Sequence, residues 1–219
     1  MRIAKAGWPF ILGCLFIGAV IAALAHVFEC PFLGILAGLS FLGACFCVYF
    51  FRNPFRRIPR GEHLILSPAD GKIMEIVEGT DPVSTQPVWI LRIFLSVFNV
   101  HIQRAPVAGR VQAVRYKTGR FLDARDPKAC FENEQNRMEF VPDGRFSSPL
   151  VVTQIAGLIA RRIVCWVREG QRVAAGELIG LIRFGSQVDL VIPKSVQLKV
   201  KTGDRVKGGS SVMAEVLPE

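Results

Sequence analysis

Apolar and polar residues are divided unevenly along this chain. Residues 1–51 carry almost no charge and hold two long apolar stretches, Trp8 to Ala25 and Phe32 to Phe51. At about 1.5 Å per residue, each would reach roughly 27–30 Å as a helix, the thickness of a bilayer core. The link between them, His26-Val27-Phe28-Glu29-Cys30-Pro31, is short and contains a helix breaker. The pattern therefore predicts a transmembrane helical hairpin over 1–51. From 52 to 219 the helical period disappears, and short apolar runs alternate with Gly, Pro and Asp. Val88–Phe98, Val107–Val114, Val151–Ile155, Ile163–Val167, Leu178–Phe184 and Val188–Ile192 read as strands. Glu132–Arg137 is polar and reads as a loop or short helical turn. The predicted class is mainly β with minor helices, in a domain long enough to bury a core.

An internal repeat supports that class. The segment Val167 to Gly176 recurs as Val200 to Gly209, 33 residues further on. Each copy reads apolar residue, Gly turn, Val, Gly, then more apolar residues, as expected of paired strands and turns. Two such copies resemble the halves of a biotinyl/lipoyl-like barrel. The Met-Lys-Met carrier turn of those domains is absent from the sequence, so the likeness is one of scaffold.

Charge sets the expected orientation. Arg2 and Lys5 precede the first stretch, and Arg52, Arg56, Arg57 and Arg60 follow the second. The positive-inside rule then puts both ends of the hairpin, and all of 52–219, on the cytoplasmic side of the cell membrane. Ala23-Leu24-Ala25 looks like a signal-peptide cleavage site, but the apolar core is longer than a usual signal segment and a second span follows at once. The net charge of +9 is not gathered into Lys/Arg runs with interleaved aromatics. Attraction to anionic lipid is the simpler reading, and no nucleic-acid partner is expected. The six cysteines form no CxxC pair, so neither a metal site nor a disulfide framework is expected.

Three positions could carry chemistry. His101 ends an apolar run, whereas His26 lies in the hairpin link and His63 in Gly61-Glu62-His63-Leu64. Asp70 sits in the turn Ser67-Pro68-Ala69-Asp70-Gly71-Lys72. Ser186 follows Gly185 between two predicted strands. Each alone reads as an ordinary turn or strand-end residue. Together, Asp, His and Ser can form a nucleophile, a base and an orienting group. A serine hydrolase is one reading, yet Phe184-Gly185-Ser186-Gln187-Val188 is not a GxSxG elbow. The nearest electrophile to that serine is its own preceding carbonyl. A membrane-anchored barrel adaptor is the non-enzymatic alternative.

The chain resembles the phosphatidylserine decarboxylases, particularly their short bacterial and archaeal branch. The landmarks are Phe51-Arg52-Asn53-Pro54, Ser67 to Gly71, Asn99 to Pro106, Glu132 to Asn136, Gln154 to Ile163, and Arg183-Phe184-Gly185-Ser186. The resemblance implies that Asp70, His101 and Ser186 form a self-processing triad, with Ser186 the nucleophile, His101 the general base and Asp70 orienting it. Cleavage between Gly185 and Ser186 would give a β chain, 1–185, and an α chain, 186–219. Ser186 would become a covalent pyruvoyl group able to form a Schiff base with phosphatidylserine, and no metal would be needed. Two departures from the long branch stand out. Phe98 occupies the place of a second histidine, and Phe-Gly-Ser-Gln replaces Leu-Gly-Ser-Thr. Substrate-binding residues stay open, with Lys117, Asn133 and Asn136 as polar candidates. The oligomeric state also stays open, a homodimer included.

Overall fold

A computed structural model describes residues 2–80, 86–144, 148–158 and 162–216. It divides into two compact units, Met1–Phe55 and Arg56–Glu219.

The first unit is a helical hairpin, α1 (Trp8–Val27) and α2 (Pro31–Phe50). A proline in the first turn of each helix costs no internal hydrogen bond, because the first amides have no partner there anyway. Small residues line the contact between the helices: Gly18 packs against Ser40 and Phe41, and Ala37 and Ala44 are buried. The Ser40 hydroxyl donates to the Cys14 carbonyl at 2.8 Å. Large side chains such as Phe16, Phe32 and Ile35 point outward and are exposed. Both helices are long and apolar enough to cross a membrane. The unit runs past the expected limit at 51 because β1 (Arg2–Ile3) pairs with β2 (Arg52–Asn53) and ties both ends of the hairpin together.

The second unit is almost entirely antiparallel sheet. Its strands are β3 (Leu64–Leu66), β4 (Gly71–Thr80), β5 (Pro87–Leu95), β6 (Ile102–Arg104), β7 (Gly109–Lys117), β8 (Gln135–Pro142), β9 (Leu150–Ala156), β10 (Ile163–Cys165), β11 (Arg172–Val173), β12 (Leu178–Ile182), β13 (Ser186–Pro193), β14 (Gln197–Leu198), β15 (Arg205–Val206) and β16 (Val212–Glu215). One short helix, α3 (Ala129–Glu132), precedes β8. The six predicted strands are present. The polar segment 132–137 differs from expectation, since it ends α3 and then enters β8. Its Asn136, Met138 and Phe140 are buried, so the strand's alternation begins on a polar residue and escapes an apolar-run search.

The sheets carry an internal duplication larger than the sequence repeat. The eight-stranded sheet has the order β11-β7-β8-β9-β13-β5-β4-β15. Read inward from either edge, it gives the same kinds of element: β11-β7-β8-β9 from one side, β15-β4-β5-β13 from the other. The two small sheets, β10-β12-β6 and β14-β16-β3, correspond in the same way. Register agrees, with Arg172↔Arg110 and Val173↔Gly109 on one edge and Arg205↔Lys72 and Val206↔Gly71 on the other. One copy, β6 to β12, is inserted between β5 and β13 of the other. Where the chain returns from the insertion it enters β13, which is hydrogen-bonded on one side to β5 and on the other to β9.

Alternation along these strands builds the core. Val188, Leu190 and Ile192 of β13 join Leu91, Ile93, Val152 and Phe140 in one buried cluster. The opposite face of β13 carries Asp189, opposite Arg92 and Thr153. Gln187 Nε2 donates to Asp189 at 2.6 Å, and Arg92 Nε lies 3.8 Å away. Burial nevertheless outweighs both and pushes the Asp189 carboxyl up to about 6. A carboxyl whose pKa rises on folding favours the folded state while protonated, and that contribution is lost as pH rises through the folded value. The detergent-solubilised chain should therefore lose about 1 kcal/mol of unfolding free energy between pH 5 and pH 7. Urea titrations at the two pH values check this. Asp189→Asn should flatten the difference, and an unchanged difference in that variant would assign it to other groups.

Candidate active site

Ser186 opens β13, and the two residues before it make the turn from β12. Phe184 and Gly185 both adopt left-handed backbone, with φ of 57° and 61°. Glycine accepts that conformation freely, but in a phenylalanine it costs on the order of 1–2 kcal/mol. Strain is thus stored one residue before the Gly185–Ser186 bond. The Ser186 side chain is fully buried, and its hydroxyl has no hydrogen-bond partner among the described residues. A buried, unmatched hydroxyl costs about 1–3 kcal/mol.

His101 faces this turn. Its ring is buried, Nδ1 lies 3.0 Å from the Asn99 carbonyl oxygen, and Nε2 accepts the Gly185 amide hydrogen at 3.1 Å. A carbonyl can only accept, so Nδ1 carries the proton and Nε2 presents its lone pair. The contacts therefore select the neutral tautomer with its basic nitrogen at the Gly185–Ser186 step.

The carbonyl of Gly185 points the other way, against Gly157. A Cβ added to Gly157 would lie 2.4 Å from the Gly185 oxygen. Gly157 follows β9, whose register sets Ala156 opposite Ser186. Only a residue without a side chain lets the two turns approach so closely.

Asp70 lies in the same neighbourhood but is satisfied elsewhere. Its carboxylate takes two hydrogen bonds from Arg56, at 2.9 and 2.6 Å, and the Gly208 amide donates to Oδ1 at 2.9 Å. The position at Nδ1 expected for Asp70 is filled by the Asn99 carbonyl. Asp70 connects to the histidine segment through its turn, where the Pro68 carbonyl accepts the Arg104 amide at 2.9 Å.

A buried polar chain supports His101 from below. Asn136 donates to Gln154, Gln154 to Gln103, and Gln103 to the His101 carbonyl, each at 2.9 Å. Among the polar candidates, Asn136 thus belongs to this chain. Asn133 clamps Leu122 and the Ala156 carbonyl, and Lys117 donates to the Phe131 carbonyl. Sequence reasoning gave no role to Asn99, Gln103, Gln154 and Gly157, although all four lie within the landmark motifs. The signal for the two glutamines is a polar residue inside an apolar strand.

Two clefts border the turn. One, of about 270 Å³, includes Gly185 and has apolar walls of Phe94, Val97, Ala124 and Leu158. The exposed Asp123–Arg125 pair also lines it, and the hydrogen bonds from Arg125 hold the Asp123 carboxyl down at about 2. The other, of about 490 Å³, shares Phe94 and Ser96 with the first and reaches Asp70 and Asn99. No group of acids, histidines and cysteines suited to a metal ion occurs among the described residues.

Comparison with known proteins places this geometry. A sequence model of the phosphatidylserine decarboxylase family matches residues 44–214, which include every residue of the site. The chain belongs to the phosphatidylserine decarboxylase family. Among its relatives, the phosphatidylserine decarboxylase proenzyme of Geotalea uraniireducens (strain Rf4) is 42% identical over 99% of this chain and 97% of its own length. That of Burkholderia pseudomallei (strain K96243) is 43% identical over 99% and 96%. That of Gluconobacter oxydans (strain 621H) is 46% identical over 82% and 80%. This is a family of decarboxylases, or carboxy-lyases. Of the decarboxylase motifs, Ile159, Ala160 and Arg161 lie outside the described residues.

Gly157→Ala is the sharpest probe of the turn. The added methyl must displace the Gly185 carbonyl, so conversion of the full-length chain into fragments should slow by about tenfold or more, equivalent to about 1.4 kcal/mol on the barrier. A time course on denaturing gels reads this. Wild-type conversion in a folded Gly157→Ala chain would contradict the role given to the close approach.

Proposed function

We propose that this chain is a self-cleaving proenzyme that decarboxylates phosphatidylserine to phosphatidylethanolamine and CO2. One observation carries the reading: a buried serine hydroxyl without a partner among the described residues follows Gly185, whose amide is held by the lone pair of His101 and which is preceded by the strained Phe184.

In self-processing, His101 Nε2 exchanges the Gly185 amide for the Ser186 hydroxyl and takes its proton. The Ser186 oxygen attacks the Gly185 carbonyl carbon. The Gly185–Ser186 C–N bond breaks, an ester forms, and the proton passes to the freed Ser186 nitrogen. Loss of the Ser186 α-proton then expels Gly185 as a carboxylate and leaves dehydroalanine. Water hydrolyses its imine tautomer, releasing ammonia and leaving a pyruvoyl group at residue 186. The relief of left-handed strain at Phe184 favours the first step. Asp70, the residue expected to orient His101, acts in this reading as a positioning residue, because its turn steadies the segment that bears the histidine.

The residues fit a pyruvoyl group, since the serine that would form it is buried beside a base and its neighbour Gly185 lines an open cleft. That group supplies an electrophilic carbonyl and an electron sink for loss of CO2. The apolar walls of Phe94, Val97 and Leu158 disfavour a charged substrate carboxylate, a penalty relieved when it departs as neutral CO2. His101, whose Nε2 lies at the Gly185 amide, is placed to hold a proton for the product carbon.

The helical hairpin would keep the enzyme at the membrane that contains its substrate, with its basic flanks on the cytoplasmic side. The duplicated strand order is consistent with a biotinyl/lipoyl-like ancestry of the scaffold.

Ser186→Ala should remain full length and release no CO2 from phosphatidylserine. His101→Ala should process at least about 100-fold more slowly, the range for a lost general base. Asp70→Asn should slow it by about tenfold or less, since an acceptor for Gly208 survives. A carbonyl reagent such as hydroxylamine should abolish wild-type decarboxylation. Full activity in Ser186→Ala, or indifference to the reagent, would refute the reading.

A further inference from the structure

Three cations stand together along the sheet edge beside the candidate site. Lys72 of β4 lies directly opposite Arg205 of β15, and Lys207 follows just beyond that strand. All three are exposed and line the cleft of about 490 Å³. None of them has a carboxylate partner among the described residues. The one acid lining the cleft is Asp70, already held by Arg56 and the Gly208 amide. Like charges directly opposite across antiparallel strands destabilise the pair. An anion seated on the edge would reverse that sign.

The duplicated fold provides an internal comparison. On the symmetric edge, Arg172 occupies the position of Arg205, and Arg110 that of Lys72. There Asp143 binds Arg172 through both carboxylate oxygens, at 2.7 and 2.8 Å. Ala174 stands where Lys207 stands in the sequence repeat. On that edge one of the two opposed cations is thus balanced by a carboxylate of the protein itself. The edge beside His101 keeps its charge and adds a lysine.

We propose that Lys72, Arg205 and Lys207 form a subsite for the phosphodiester of the phospholipid substrate; this rests on the decarboxylase reading above. The cleft reaches Asn99, whose carbonyl holds His101, and Ser96, which also lines the cleft at Gly185. In a serine phospholipid the phosphodiester is only a few bonds from the amine, so anchoring the anion here delivers the amine toward residue 186. Lys72 precedes the cleavage point and Arg205 and Lys207 follow it, so both chains would contribute to recognition.

The test uses the full chain in neutral detergent micelles, in which dilute phosphatidylserine is the sole anionic lipid. With all three cations changed to glutamine (K72Q, R205Q, K207Q), intact mass first checks that processing is complete. KM for phosphatidylserine should then rise by about tenfold or more, with kcat within about twofold, as expected for loss of charge-assisted ground-state binding. Arg172→Gln, on the symmetric edge, should leave KM unchanged. Independently of turnover, millimolar inorganic phosphate should raise the melting temperature of the wild type and not of the triple variant. An unchanged KM in the triple variant overturns the proposal, and if phosphate still stabilises the wild type the site binds free phosphate alone. A KM rise seen only on anionic vesicles also overturns it, in favour of general surface attraction. A wild type that takes up phosphate but releases no CO2 would instead sink the decarboxylase reading.

Discussion

The Gly185 amide reaches the lone pair of His101 only because several independent features agree. The Asn99 carbonyl fixes the proton on Nδ1, which frees Nε2 to accept. The buried chain Asn136–Gln154–Gln103 holds the histidine backbone at a set depth. Gly157 yields the space into which the Gly185 carbonyl turns. With amide and carbonyl both held, the backbone between Phe184 and Ser186 is confined to a left-handed path that a free chain would leave. Ground-state strain and base alignment therefore come from one arrangement.

The duplicated sheet would let the chain be cut before Ser186, as proposed, and stay folded. The proposed break would fall where the inserted copy returns to its host, before β13 and not within it. The strand after the break lies between β5 and β9, bonded along both edges and packed through Val188, Leu190 and Ile192 into the core. Severing the peptide before Ser186 would leave the pairing from Gln187 onward and that packing in place. It would convert a strained turn into two chain ends beside an open cleft.

Much of this was legible in the sequence. The hairpin showed in two charge-free stretches, and most strands showed in apolar runs bounded by glycine and proline. The repeat at Arg172 and Arg205 announced the duplication, though its true extent, from β3 to β16, required pairing that no local pattern encodes. Of the site, His101 lies at the amide of Gly185, next to Ser186. Asp70 kept its neighbourhood but found Arg56 and Gly208 as partners, because a carboxylate near a guanidinium and a free amide binds them before a neutral imidazole. Asn99 acts through its backbone carbonyl and Gly157 through an absent side chain, roles invisible to residue type. Gln103 and Gln154 were hidden because strand-spotting counts apolar positions and passes over the polar exceptions.

The central claim is that Ser186 is consumed, and intact mass spectrometry of the purified, denatured protein tests it most directly. The account predicts two masses. One matches residues 1–185 with a free carboxyl end, and the other matches 186–219 lighter by one ammonia than a chain beginning with serine. A single mass for all 219 residues in a preparation that decarboxylates phosphatidylserine would contradict it.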